Sequence, residues 1–394
     1  MIKPYVPRVT RLLQSGAKFC SKCIYDSTVP KITFDEQGVC SYCKMIEDID
    51  KQFKAATPEG EKEFDAICEQ IKKDAKGKKY DCVIGVSGGT DSSYMVWLAI
   101  QKGLRPLAVH YDNTWNTNIA TQNITNVLGK LNVDLYTHVV DNREMDDIFR
   151  SFFKASVPDL DSPTDLALAE VLYRAASKYG VKYILEGHSY KTEGVSPLGY
   201  NYIDGGYIKT VQKQFGAKKI KTYPLMDFTS FLKWVAIKRI KKIRPFWYIK
   251  YNKEEARAML EKEFGWQYYG GHHLENRMTA FWQSYYTPTK FDIDQRNNSL
   301  GASCRSGFMT REEAFKEYAK PPHLEGDLVE YFIKRMGFTQ DEFEKIMSQP
   351  KKTFRDYKTY KQRFEKWRPL FFILAKANLV PMSFYYKYTS KEEL

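Results

Sequence analysis

Short apolar runs alternate along the middle of this chain with segments whose apolar residues recur every three to four positions. Val83-Ile-Gly-Val86, Leu107-Ala-Val-His-Tyr111, Leu135 to Val140 and Tyr183-Ile-Leu-Glu186 read as strands. Between them, Tyr94/Met95/Leu98/Ala99, Ile124/Val127/Leu128/Leu131, Met145/Ile148/Phe149/Phe152/Phe153 and the stretch Asp165 to Tyr179 have helical spacing. Strands that alternate with helices predict an α/β domain over residues 80–265, with a doubly wound, mostly parallel sheet. The clustered phenylalanines of the Met145 helix are expected in its core.

The flanks follow other patterns. Residues 1–50 hold two close cysteine pairs, with a hairpin expected from Lys31 to Val39 around a turn at Asp35–Gly38. Residues 51–79 read as a charged connector belonging to a helical pattern that spans Ile46 to Ala75. Residues 266–394 form a helical C-terminal region with capping boxes at Thr310/Glu313 and Thr339/Glu342. Within the central domain, Ser189 to Lys213 reads as a long glycine- and tyrosine-rich loop. Phe228 to Ile243 reads as an amphipathic, basic stretch, better explained as a helix covering the core or a subunit contact than as one lying on a membrane surface; Ile243–Phe246 reads as a short last strand, and Asn252 as the cap of a helix reaching Phe264.

Composition narrows this picture only modestly. With 43% hydrophobic and 15% aromatic residues, 394 residues suffice for a large core. No apolar run approaches a membrane span and Met1–Thr10 lacks the apolar core of a signal peptide, so a cytoplasmic protein without a membrane span is expected. The formal charge of +13 favours an anionic partner, for which nucleic acid, a nucleotide sugar and a membrane surface all qualify. Basic and aromatic residues interleave from Tyr357 to Tyr388, a pattern open to single-stranded nucleic acid. An amphipathic helix pair with its lysines in water explains it better, and no nucleic-acid partner is expected.

Chemistry concentrates in two places. Cys20-x-x-Cys23 and Cys40-x-x-Cys43, 16 residues apart, have the spacing of two knuckles around a closed tetrahedral S4 site, which points to structural Zn²⁺. The second place is Ser87-Gly-Gly-Thr-Asp-Ser92, between a strand and a helix. Gly88 and Gly89 allow close backbone approach, free N–H groups at the helix start face outward, and the hydroxyls of Ser87, Thr90 and Ser92 add donors, so the turn suits a diphosphate. A Walker A loop is excluded, because no lysine lies between Ser87 and Trp97. A nucleophile elbow fits Gly85-x-Ser87-x-Gly89 but normally follows several sheet strands, whereas here only the cysteine module and the connector precede it. The turn resembles the PP-loop of ATP pyrophosphatases, enzymes that adenylate an oxygen and release pyrophosphate.

Beyond that loop, Asp112-Asn-Thr-Trp-Asn116, Glu186-Gly-His-Ser-Tyr-Lys-Thr-Glu-Gly194, Lys290-Phe-Asp-Ile-Asp-Gln-Arg296, Gly307-Phe-Met-Thr-Arg-Glu-Glu313 and the four cysteines resemble the N-acetyl sugar amidotransferases. Asp292 and Gln295 depart from that family's glycine and lysine. The resemblance implies ATP- and Mg²⁺-dependent conversion of an acetamido group on a nucleotide-linked sugar into an acetamidino group, in bacterial O-antigen or surface-glycan synthesis. It also implies separate glutaminase and ammonia-channel partners similar to the subunits of imidazole glycerol phosphate synthase. The expected site comprises Ser87, Gly88, Gly89, Thr90, Asp91 and Ser92 around the nucleotide, with Asp91 also holding Mg²⁺. Asp112, Asn113 and Gly187 are expected beside the nucleotide, His188 is a candidate for the α-phosphate or a proton relay, and Lys191 and Lys209 are candidates to offset phosphate charge. The competing reading from another substrate class is a tRNA-thiolating PP-loop enzyme. No built-in glutaminase is expected, since the glycines around Cys304 have the wrong spacing for an elbow.

Overall fold

The computed structural model describes residues 7–197, 200–271, 273–376, 380 and 382–390. Its centre is a five-stranded, wholly parallel sheet: β1 (Cys82–Gly85), β2 (Pro106–Asp112), β3 (Leu135–Val139), β4 (Tyr183–Leu185) and β5 (Lys241–Ile243), in the order β3-β2-β1-β4-β5. Val83 lies opposite Leu107 on one side and Ile184 on the other. The chain moves outward from β1 to β3, then returns to the other side of β1, so the topological switch falls between β1 and β4. The turns after β1 and β4 therefore flank the same crevice.

Side-chain alternation explains the two cores. Val83, Leu107, Val109 and Tyr111 face one layer, which includes Phe149, Phe152 and Phe153 of helix Asn142–Lys154. Phe332 of helix Leu328–Met336 and Phe343 of helix Gln340–Ser348 join that same core. Cys82, Ile84, Val86 and Ala108 face the opposite layer, against Met95 and Leu98 of helix Thr90–Gln101 and Phe64 and Ile71 of helix Pro58–Asp74. Strand β3 is an edge, and its side chains are mostly half-exposed or exposed.

Five expectations need correction. The helix over Ile46–Ala75 is two helices, Ser41–Phe53 and Pro58–Asp74, because Lys54 and Ala56 take positive φ and Thr57-Pro58 starts a new helix with a Thr57 cap. The long loop is cut short by helix Gly205–Phe215, capped by Asp204; its glycines serve close packing, since a Cβ on Gly205 would lie 2.9 Å from Met226 O. Leu198 and Gly199 of that loop lie outside the described residues. The stretch Phe228–Ile243 is not one helix: a turn of α-helix at Phe228–Leu232 passes into π-helix at Lys233–Ile237 and then into β5. The last strand is thus Lys241–Ile243, while Pro245–Trp247 is a 3₁₀ turn. The Lys31–Val39 hairpin reduces to a single bridge between Phe34 and Cys40, closed by Asp35 accepting from Val39 N.

Asn252 does cap helix Lys253–Phe264, accepting from the backbone N–H of Glu254 and Glu255. Both capping boxes close as expected. Among the described residues no helix is long and apolar enough to cross a membrane.

Candidate active site at the sheet switch point

After β1 the backbone turns sharply through Gly88, at φ +81°, and helix Thr90–Gln101 begins from Gly89. A Cβ on Gly88 would lie 2.2 Å from Ala120 O, so no larger residue fits without displacing the neighbouring helix Asn118–Leu131. Gly88 O accepts from Trp266 Nε1 (2.9 Å) and Asn123 Nδ2 (3.2 Å), which fixes the turn from outside the sheet. Inside it, Ser92 Oγ accepts from Ser87 N (3.3 Å), and Ser87 Oγ accepts from Gly89 N (3.3 Å) while donating to Glu275 Oε1 (3.1 Å). The result is a rigid cradle at the positive end of a helix.

Asp91 sits on the first turn of that helix and is anchored by two groups the sequence reading missed. Tyr251 donates to one carboxylate oxygen and Lys253 Nζ to the other, each at 2.5 Å. Burial opposes ionisation of Asp91, but the Lys253 charge and these bonds outweigh it and hold its pKa below the ordinary carboxylate value. Tyr251 is itself positioned by stacking on Phe246, with ring centroids 3.9 Å apart. Both partners follow β5, so they reach the same crevice from the strand beyond β4.

Glu193 is a third missed group. Burial and the negative charge of Asp91 push its carboxyl up to about 7, so two acids converge where Lys253 supplies the nearest compensating charge. On the cleft wall, His273 lies 3.7 Å from Glu275. Loss of water opposes its protonation, yet the facing Glu275 carboxylate holds the half-exposed ring at about 9. Glu193 was visible in the sequence as part of Glu186–Gly194, but nothing in the spacing marked it as facing Asp91. Lys253, Tyr251, His273 and Glu275 gave no local signal at all.

The remaining expected residues are placed less directly. Gly187 belongs at the turn: a Cβ there would lie 3.3 Å from the Asp91 carbonyl carbon and oxygen, so its lack of a side chain lets β4 end against the helix start. Thr90 is buried. His188 accepts from Trp247 Nε1 at Nδ1 (3.2 Å), and its Nε2 lies 3.1 Å from Gly194 O, to which it donates. Burial and the Arg244 charge hold it at about 4, so the ring is neutral and both nitrogens are engaged in holding the Ser189–Gly194 turn. A proton relay would have to break one of those bonds. Asp112 accepts from Thr114 N and Asn116 Nδ2. Asn113 is buried, accepts from Trp115 N and Asn276 Nδ2, and shapes the loop rather than projecting from it. Lys191 and Lys209 pair with Asp50 and Asp227.

The four cysteines do converge. All four thiols are buried and lie within 4.8 Å of one another, with Cys20–Cys43 and Cys23–Cys40 at 3.8 Å and Cys40–Cys43 at 3.5 Å. Zn–S bonds of about 2.3 Å in a tetrahedron put sulfurs about 3.8 Å apart, so the donor set fits a zinc ion. Backbone N–H groups of Lys22, Tyr25, Cys40 and Cys43 point at the sulfurs, and Arg305 donates to Cys23 Sγ at 3.4 Å, which suits thiolate charge. Arg311 Nε donates to the carbonyls of Cys20 and Cys23, so the cysteine module docks on helix Arg296–Arg305 and the segment after it. Cys304 is absorbed into this contact, donating to Lys22 O.

Fold and site together define a parallel α/β protein with a glycine turn at its switch point, a buried carboxylate–lysine pair beside that turn, and a four-cysteine centre able to hold a metal such as zinc. Residues 275–370 match the family described as LPS biosynthesis protein WbpG-like, C-terminal domain. That segment starts at the residue that accepts from Ser87, so the matched region contributes directly to the glycine turn.

Among solved structures, the NH3-dependent NAD synthetase of Campylobacter jejuni is similar at 13% identity, covering 73% of this chain and 96% of its own, with a TM-score of 0.32. The U34-tRNA thiolase NcsA of Methanococcus maripaludis, with its [4Fe-4S] cluster, gives 10% identity, 78% and 89% coverage and a TM-score of 0.31. NMN synthetase from Francisella tularensis gives 16%, 56%, 92% and 0.27. Likeness at this level carries no weight for function. No curated protein matches the chain.

Proposed function

We propose that this chain is an ATP-dependent amidotransferase that converts the acetamido group of a nucleotide-linked N-acetyl sugar into an acetamidino group, in the synthesis of a bacterial surface glycan such as O-antigen. The observation that carries the reading is the cradle itself: Ser87–Ser92 backs onto a helix start, and Asp91 and Glu193 converge beside it. An amide carbonyl is a poor electrophile, so its oxygen must become a leaving group before nitrogen can add. The amide oxygen attacks the α-phosphorus of ATP and pyrophosphate leaves. Ammonia then adds to the activated carbon, and AMP departs with the original amide oxygen.

The remaining backbone N–H groups at the start of helix Thr90–Gln101 would supply donors to the developing pyrophosphate charge, held in place by the hydrogen bonds inside the turn. Two acids brought together beside the glycine turn, with Glu193 raised by burial and then by the Asp91 charge, suit a divalent cation, and Mg²⁺ commonly takes one or two carboxylates plus phosphate oxygens. When bound, it would supply charge neutralisation to the phosphates. Asp91 and Glu193 would hold it, and Lys253 keeps Asp91 ionised and oriented. His273, protonated at neutral pH, supplies a cation on the cleft wall for a phosphate oxygen. His188 positions the turn that carries Glu193. Nitrogen comes from a separate glutaminase through a channel subunit, for Cys304 is turned into the cysteine module.

The test is to incubate the purified chain with ATP, Mg²⁺, ammonium and a panel of nucleotide-linked acetamido sugars. A product lighter than its parent by the difference between an oxygen atom and an imino group, formed with AMP and pyrophosphate, supports the reading. ATP consumption without any such product, on every sugar tried, would defeat it.

A further inference from the structure

We propose that the C-terminal helical block docks the protein onto an anionic membrane surface. The residues concerned take no part in the proposed reaction. Helix Arg368–Lys376 is apolar on almost every side. Phe371 and Ala375 are buried in a local core with Phe364 and Val380, and that core also takes in Phe228, Phe231, Leu232 and Val235 from the segment before β5. Among the described residues the opposite side has no such cover: Trp367 is 52% exposed, Leu370 47%, Phe372 43% and Ile373 64%. On the adjoining π-helical segment Ile237 is 75% exposed. Five of the large exposed apolar side chains of the described residues thus sit on one block, which single scattered surface residues do not explain.

Charge chooses the occupant. From Phe228 to Lys250 the sequence carries seven Lys or Arg and no Asp or Glu, and from Lys366 to Ser390 it carries four and again none. Phe228 and Phe231 stack against Phe384, so the two stretches are packed together; Lys242 and Arg244 pair with Glu186, while Lys233, Lys238, Arg239, Lys366 and Lys376 are exposed. An open groove beside the exposed apolar residues is lined by Lys366, Arg368, Phe372 and Tyr385, with Glu365 as its one acidic residue. Arg368 donates to Tyr385 there, which leaves its charge at the groove wall. An apolar strip rimmed by cations is the arrangement of an interfacial helix: the large side chains enter the headgroup boundary, while the lysines and arginines meet lipid phosphates. A second copy of the same chain would set this basic surface against itself, which disfavours self-association.

The experiment is flotation of the full chain with vesicles of phosphatidylcholine alone or mixed with phosphatidylglycerol, at low and at high salt. The chain should float with the anionic vesicles, stay behind with the neutral ones, and lose most of its binding in high salt. Leu370→Ser with Ile373→Ser should weaken flotation by about tenfold, since it removes two side chains from the buried face. Lys366→Glu with Lys376→Glu should weaken it independently. Unchanged circular dichroism and Mg-ATP binding in these variants would show that the fold is intact. Failure to float with anionic vesicles overturns the proposal, as does equal flotation with neutral ones. A wild-type dimer in light scattering that becomes monomeric in Leu370→Ser/Ile373→Ser, without flotation, would assign the surface to a second copy instead.

Discussion

Replacing Gly88 with Ala tests whether the cradle is built as described. At φ +81° an alanine incurs the left-handed penalty of about 1 kcal/mol. Its Cβ would also lie 2.2 Å from Ala120 O, more than an ångström inside ordinary contact at 3.4 Å, and the opposing atom is backbone, so either the turn or helix Asn118–Leu131 must move. That movement strains the Trp266 and Asn123 bonds to Gly88 O, each contributing roughly 1 kcal/mol. With overpacking of about 1–3 kcal/mol, the total comes to roughly 4–6 kcal/mol. A control lies in the displaced helix itself: a Cβ added to Gly129 would meet no atom within 4 Å, so Gly129→Ala should stabilise by about 0.5–1 kcal/mol. Thermal melting of both variants, with calorimetry of Mg-ATP binding, reads the outcome. Gly88→Ala should melt lower and lose ATP, and Gly129→Ala should melt higher and keep it. A Gly88→Ala protein with wild-type melting and wild-type ATP affinity would refute the reasoning.

Asp91→Asn and Glu193→Gln should each abolish product formation, measured as AMP release, while leaving most of the fold; a fully active variant of either would remove that carboxylate from the proposed metal site. Because Glu193 titrates at about 7 without metal, Mg²⁺ affinity in calorimetry should fall as pH drops through 7, and Glu193→Gln should flatten that slope. His188 has its pKa depressed to about 4 from 6.5, so the unfolded chain binds its proton more readily; stability present above 6.5 should be lost as pH falls toward 4, and His188→Gln should reduce that loss in melting curves. Cys23→Ser or Cys43→Ser should release zinc, read by elemental analysis, and lower the melting temperature, with activity falling only through structure.

What the sequence made legible was whatever has a local signature. The β1 run, the glycine turn and the capped helices each depend on neighbours within a few residues, and they stand where their patterns put them. The four cysteines likewise carry their geometry in their spacing. Lys253, Tyr251, Glu275 and His273 do not: they reach Asp91 and Ser87 only because β5 lies beside β4 and the C-terminal segment folds back over the sheet. The errors have the same origin. Gly205 and Gly206 read as a loop, yet they start a helix where Met226 and Tyr360 approach too closely for side chains. The basic run to Ile243 read as one helix, yet Lys241–Ile243 is drawn into the sheet by its pairing with Tyr183–Leu185. His188 does stand at a strand's carboxyl end as read, while its partners Trp247 and Gly194 could not be read from spacing.

The central claim is that the acetamido oxygen itself attacks ATP, and following that oxygen tests it most directly. A nucleotide-linked acetamido sugar labelled with ¹⁸O in the acetamido carbonyl is incubated with the chain, Mg-ATP and ammonium, and the released nucleotide is analysed by mass spectrometry. The account predicts that the label leaves the sugar and appears in the phosphate of AMP, with unlabelled pyrophosphate. Label in orthophosphate alongside ADP, or a sugar that keeps its label while ATP is consumed, would contradict it.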